Sequence, residues 1–141
     1  MKHLHIILSL CALLLSVNAY ADYPERSKLA KSNGRKRTVK EWKTTPDGKN
    51  KWGDHIEVYN AQGQLIEEYE YGDYGRHLSW RSEYFYNAKG QLEKEIIYNA
   101  RNKPSKVRKY EYDSNGVCTR RLNYGANGIL NTYRQLEFSY E

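Results

Sequence analysis

"YNAQGQL" occupies Tyr59 to Leu65, and "YNAKGQL" occupies Tyr86 to Leu92, 27 residues further on. Looser copies begin at Tyr71 ("YGDYGRH"), Tyr98 ("YNARNKP"), Tyr112 ("YDSNGVC") and Tyr124 ("YGANGIL"). "TTPDGKN" at Thr44 is the same object with Pro at the second turn position. The leading residues are 44, 59, 71, 86, 98, 112 and 124, so the gaps run 15, 12, 15, 12, 14 and 12. Long and short alternate, and the true period of about 26 or 27 residues is a pair of strands.

Each copy spells a hairpin turn. Asn or Asp leads, two variable residues follow, and Gly closes a type I turn with a left-handed residue. Gly63 and Gly90 are expected at positive φ, which any Cβ penalises. Asn102 stands in for Gly in one copy, and Asn is the best-tolerated substitute there. Pro46 suits a turn position that wants φ near −65°. Such a turn sets Asn60 against Gln64 and Tyr59 against Leu65. The recurring Tyr and Leu are a cross-strand pair, the unit that stabilises antiparallel sheets.

Seven turns imply eight strands, predicted near residues 36–43, 50–59, 65–71, 77–86, 92–98, 104–112, 118–124 and 130–140. They are rich in Tyr, Val, Ile and Trp, as strands are. No window has a helical period with caps, so no helix is expected after the leader. The fold class is all-β, an antiparallel meander built from hairpin repeats.

Counting by twos sorts the two faces. One face collects Leu65, Tyr69, Tyr71, Leu92, Ile96, Tyr98, Tyr110, Tyr112, Leu122, Tyr124, Leu130, Leu136 and Phe138. The other collects Glu68, Glu70, Glu93, Glu95, Lys109, Glu111, Arg121 and Glu137, with Ile66, Phe85 and Ile97 among them. The strand at 77–86 breaks parity, and its gap is one residue longer than the later long gap. One extra residue is what a β-bulge inserts, so a bulge is predicted there and a second between Thr44 and Tyr59.

The motif Y-[ND]-x-x-G-x-L resembles the YD repeats of large secreted bacterial Rhs-type proteins. The long–short alternation over Lys51 to Tyr71 is also similar to MORN-type hairpin repeats. The resemblance spans Thr44 to Phe138. It implies hairpin architecture and leaves function open, because such repeats serve many roles. Rhs-type proteins build a shell around a toxin segment, and eight strands are too few to enclose one.

The N-terminus reads as a leader. Lys2 and His3 precede an apolar run from Leu4 to Val17, and "AYA" (Ala19 to Ala21) offers small residues to a signal peptidase. The run is too short to span a bilayer, so a cleaved signal over 1–21 is expected, with a secreted or periplasmic chain from Asp22. A lipoprotein would need Cys11 acylated, but Leu10 precedes it where a small residue is wanted. After cleavage 22 Lys/Arg face 17 Asp/Glu. Ten of those cations and four acids lie between Asp22 and Lys51, which makes 22–35 a basic arm ahead of one domain at 36–141. Such an arm either grips an anionic polymer or is simply solvated. Cys118 alone remains past the leader, so no internal disulfide staples the fold.

Catalytic and metal signatures are missing. His55, His77 and Cys118 show no zinc-ligand spacing, and neither metal nor cofactor is expected. Asp54 and His55 are neighbours on a strand and point to opposite faces. Glu93 and Glu95 share a face and could do acid–base chemistry, though on a polar face they read first as solvated charges. Cys118 stands where Leu stands in other copies and reads as a small core residue.

The aromatic load stands out: 14 Tyr, 3 Trp and 2 Phe, of which only Tyr20 precedes Asp22. With no helix to cover it, the aromatic face must curl on itself, pair with a second copy, or stay open as a binding platform. By parity Lys94, Lys106, Arg108, Arg120 and Arg134 lie on that face, and a charge there must be paired or reach water. The expected function is a non-catalytic exported binding or structural module. Its binding strip is Trp80, Tyr84, Lys94, Arg108, Tyr110, Arg120 and Arg134, and its partner an envelope glycan or another envelope component, including protein. The rivals are an enzyme using the sheet carboxylates on a polysaccharide and a binder of polyanion or nucleic acid. The last ranks third, because an exported protein rarely meets nucleic acid.

Overall fold

A computed structural model describes residues 34–139. The expected signal segment, nearly all of the basic arm, Tyr140 and Glu141 lie outside the described residues. Eight strands follow in chain order: β1 (Arg37–Thr44), β2 (Lys51–Tyr59), β3 (Leu65–Gly72), β4 (His77–Tyr86), β5 (Leu92–Asn99), β6 (Pro104–Tyr112), β7 (Cys118–Gly125) and β8 (Leu130–Gln135). They form one antiparallel sheet in sequence order, and no helix occurs among the described residues. Among those residues each strand contacts only its neighbours in the chain, so β1 and β8 are the edges of the sheet.

The turns match their letters. Gly63 and Gly90 have φ of 80° and 77°, and Asn102 takes the same role at 57°. In "YNAQGQL" the Gly63 N–H donates to the Asn60 carbonyl and the Asn60 N–H to the Gln64 carbonyl. The Asn60 side-chain oxygen accepts from the Gln62 and Gln64 N–H groups. Tyr59 sits opposite Leu65, and Tyr86 opposite Leu92. One copy departs from the pattern. Asp73, Tyr74 and Gly75 all have positive φ, and Tyr71 pairs with Leu78. That loop folds back on β2: Trp52 and Tyr74 meet edge to face, ring centroids 5.0 Å apart.

The repeat also locks one hairpin to the next. The Gln64 side-chain amide donates to the carbonyl of Gly90, and that of Gln91 to the carbonyl of Gly116. The Tyr86 hydroxyl donates to the Leu65 carbonyl, and the Tyr112 hydroxyl to the Leu92 carbonyl. The letters that recur therefore close a turn and also bridge to the equivalent turn two strands away.

Both predicted bulges are present, with Asp54 extra in β2 and Ser79 extra in β4. Five more were not foreseen. Ile66, Glu93, Ser105, Thr119 and Asn131 are each skipped in the pairing just after a turn. A bulge shifts parity by one, so a face followed outward from the Tyr–Leu pair changes side at each of these hairpins. The last strand also ends earlier than predicted. β8 ends at Gln135, opposite Arg120, and beyond it the Leu136 N–H still reaches the Thr119 carbonyl.

The buried residues lie mostly in β2, β4 and β5. Among the described residues only Val58, Tyr59 and Leu122 are buried apolar or aromatic side chains, against Asp54, His55, Glu57, Ser82 and Glu95 among polar ones. The middle of this sheet is held by a polar network, and a buried polar group is tolerable only when it is hydrogen-bonded.

Candidate functional site

Residues opposed across an antiparallel pair share a face, so the register sorts the predicted strip. His55 pairs with Glu70, which pairs with Trp80; Tyr84 pairs with Glu95, which pairs with Arg108; Tyr110 pairs with Arg121, which pairs with Arg134. Trp80, Tyr84, Arg108, Tyr110 and Arg134 therefore share the face of His55. Lys94 pairs with Phe85 and Arg120 with Glu111, on the opposite face. The single strip expected from parity is thus two groups on two faces, and the unforeseen bulges are the reason. Glu68, Glu70 and Glu95 share the face of Tyr84 and Tyr110, while Tyr69, Tyr98 and Tyr124 lie on the other.

On the His55 face the carboxylates are engaged. Glu95, 3% exposed, accepts from the Arg108 guanidinium at 3.0 Å, the Tyr110 hydroxyl at 3.1 Å and the Ser82 hydroxyl at 3.3 Å. Charge-assisted bonds of this kind are the stronger class. Arg108 is thereby a structural partner of a buried acid and not a free binding cation.

A second cluster on this face escaped the sequence reading. His55 Nδ1 lies 2.8 Å from Glu70 Oε2. Its Nε2 lies 3.2 Å from Glu68 Oε1 and 3.5 Å from Glu57 Oε1, yet is aligned for a hydrogen bond with neither. The other oxygen of each carboxylate is taken. Tyr59 donates to Glu57 at 2.9 Å and Tyr84 to Glu68 at 2.5 Å. Interaction with Glu57, then Glu68 and Glu70, outweighs burial and raises the His55 pKa to about 10. The signal was present: His55-x-Glu57 and Glu68-x-Glu70 alternate on adjacent strands. Only the bulge at Ile66 brings them to one face. Asp54, the extra residue of the first bulge, instead pairs with Lys43 at 2.7 Å.

The opposite face sets cations over rings. Arg81 lies 3.7 Å from the Tyr98 centroid, Lys94 4.2 Å from Phe85, Lys109 5.3 Å from Tyr124 and Arg120 5.1 Å from Tyr133. Such contacts are worth roughly 0.5–1 kcal/mol where exposed. Glu83 binds the Arg81 guanidinium at 2.6 Å and the Tyr98 hydroxyl at 2.8 Å. Partial burial alone would raise the Glu83 pKa, but these bonds prevail and hold it below the usual carboxylate value. Tyr69 donates to Glu67, and this contact, then burial, raises its pKa to about 12. Burial raises the Cys118 thiol as well, as suits a packed residue more than a nucleophile.

Two shallow clefts lie between equivalent turns. The first, about 470 Å³, is lined by Asn60, Gln64, Tyr84, Tyr86, Asn87 and Ala88 among others. The second, about 410 Å³, is lined by Asn87, Ala88, Gln91, Tyr110, Tyr112 and Asp113 among others. Much of each lining is related by one repeat: Tyr84 and Tyr86 become Tyr110 and Tyr112, Asn60 becomes Asn87, and Gln64 becomes Gln91. Ala88 lines both.

The chain matches no protein-family model and no curated protein. Among solved structures, TarM aligns over 80% of this chain at 10% identity with a TM-score of 0.32. A mutant of S. aureus TarM, in complex with fondaparinux, α-GlcNAc-glycerol and UDP, aligns over 79% at 12% identity and a TM-score of 0.28. A Bacteroides fragilis protein of unknown function, BF3112, aligns over 74% at 18% identity and a TM-score of 0.25. The chain spans about a fifth of the length of the TarM chains, 19% and 21%, and 95% of BF3112.

Proposed function

We propose that this protein is an exported, non-catalytic binding module of the YD-repeat kind that holds an envelope glycan in its tandem clefts. The observation that carries the reading is the repetition of one cleft. Two recesses of about equal size present the same tyrosine pair and an equivalent Asn and Gln, one repeat apart, with Lys89, Glu93 and Asp113 in the second where Gln62, Ile66 and Asn87 stand in the first. Two strands separate them, about 10 Å at the usual strand spacing. A polymer whose chemical unit recurs offers like groups to both. Tyrosine rings suit the apolar faces of sugars, and amides suit their hydroxyls. The shallowness and openness of the recesses fit a chain-like ligand better than a reaction that must exclude water.

The rival, a polysaccharide-acting enzyme, needs carboxylates free to exchange protons. Glu95 is committed to Arg108, Tyr110 and Ser82, and Glu68 to Tyr84. This commitment supports the non-catalytic reading.

Ala88 provides the test. It is exposed, sits in a turn, and lines both clefts. Ala88→Trp sets a bulky ring on the wall the two recesses share without touching a ladder hydrogen bond. Binding to purified envelope polysaccharide is expected to fall at least tenfold with the melting temperature nearly unchanged. Undiminished binding by the folded variant would remove the clefts from consideration.

A further inference from the structure

We infer that His55, Glu57 and Glu68 form a binding site for a divalent transition-metal cation of the zinc type. The convergence is geometric first. His55 Nε2 and one carboxylate oxygen each from Glu57 and Glu68 all lie within 4.8 Å of one another. Nε2 sits 3.2 Å and 3.5 Å from the two oxygens. Ligands bonded at about 2.0–2.2 Å in a tetrahedral array stand roughly 3.3–3.6 Å apart, so both separations from Nε2 are close to those of a coordination shell, and the two carboxylate oxygens lie within 4.8 Å of each other.

A buried donor points the same way. The His55 side chain is 8% exposed, and its Nε2 makes no hydrogen bond. A buried ring nitrogen that faces two carboxylate oxygens at ion-pair distance, aligned with neither, is placed to exchange its proton for a metal ion.

Each of the three donors is also held from behind. Glu70 binds His55 Nδ1, Tyr59 binds the outer oxygen of Glu57, and Tyr84 that of Glu68. An imidazole whose far nitrogen meets a carboxylate, with ligating carboxylates hydrogen-bonded in turn, is how proteins orient metal ligands. Three strands meet here: β2 supplies His55, Glu57 and Tyr59, β3 supplies Glu68 and Glu70, and β4 supplies Tyr84. An imidazolium would bring one positive charge to three carboxylates, whereas a divalent cation brings two. One imidazole with two carboxylates suits a borderline cation such as Zn²⁺, since Ca²⁺ takes six or more oxygens. Three protein donors leave a coordination position for water or a ligand group.

The test is a titration of the EDTA-treated full chain with Zn²⁺, followed by calorimetry and by the NMR shift of the His55 ring nitrogens. One equivalent is expected to bind and move the Nε2 resonance, and Ca²⁺ at the same concentration is expected not to. Co²⁺ should give the intense visible bands of a four-coordinate site. Glu68→Gln should weaken Zn²⁺ at least tenfold. Glu70→Gln, which touches only the far ring nitrogen, should weaken it about 10–100-fold through orientation. The site is refuted if the wild-type Nε2 resonance does not respond to Zn²⁺, or if His55→Asn, folded by circular dichroism, binds as the parent does. Should the variants unfold, the wild-type resonance alone decides.

Discussion

The two faces of this sheet hold their charges by different means. Around His55 and Glu95 the charges are buried, and their hydrogen bonds run to named partners on neighbouring strands. On the far side Lys94, Lys109 and Arg120 lie over Phe85, Tyr124 and Tyr133. The same composition of tyrosines, acids and bases thus yields an interior network on one side and a skin on the other. Burial makes the difference. A charge stripped of water must be matched by bonds, while a charge that keeps its water gains little from an exposed ion pair or a ring contact.

Four measurements probe that contrast. Glu95→Ala should cost about 3–5 kcal/mol in urea unfolding, because it strands the Arg108 guanidinium beside a vacated interior position. A loss below about 1 kcal/mol would mean that the network is not the core of the sheet. At the turns, where the faces meet, Gly90→Ala should cost about 1 kcal/mol or more, since φ is 77° there. Its added Cβ would meet the Gln64 amide nitrogen at 3.4 Å, an ordinary contact, so the cost comes from the backbone. If the variant melts like the parent, the turn contributes nothing to stability.

The far face should show a modest acid response. Glu83 has its folded pKa lowered below its unfolded value, so its stabilising contribution is present above the unfolded pKa and lost as pH falls through the folded one. Glu83→Gln should therefore lose less stability than the parent on going from about pH 6 to roughly pH 3, as read by thermal melts. Smallest of all, Arg120→Ala should cost about 0.5–1 kcal/mol, because an exposed pair with Glu111 and a ring contact contribute little. A cost as large as that of Glu95→Ala would erase the distinction between the faces.

Arg108 and Arg120 show where the sequence reading stopped. Parity placed them on one strip and suggested a shared role in binding. Arg108 belongs instead to Glu95 and Arg120 to Glu111, on opposite faces. Charge reversal at Arg108 is therefore expected to unfold the protein rather than only to abolish binding. The His55 cluster was hidden for the same reason: Glu57 and Glu68 look unrelated until the pairing that skips Ile66 sets them side by side.

Strand number, strand order, turn type and the Tyr–Leu pairs were determined by the sequence alone, because each is a local matter. A turn needs its Asn and Gly within a few residues, and neighbouring hairpins in a short-looped chain pair in order. The two bulges marked by an uneven gap were legible too. The five bulges beside the regular turns were not, because the copies keep a common form and no letter marks the skipped residue. Those bulges decide which side chains share a face. A shift of one residue carries everything beyond it to the other side of the sheet, so the polar network, the cation-on-ring face and the His55 site were decided by the tertiary pairing.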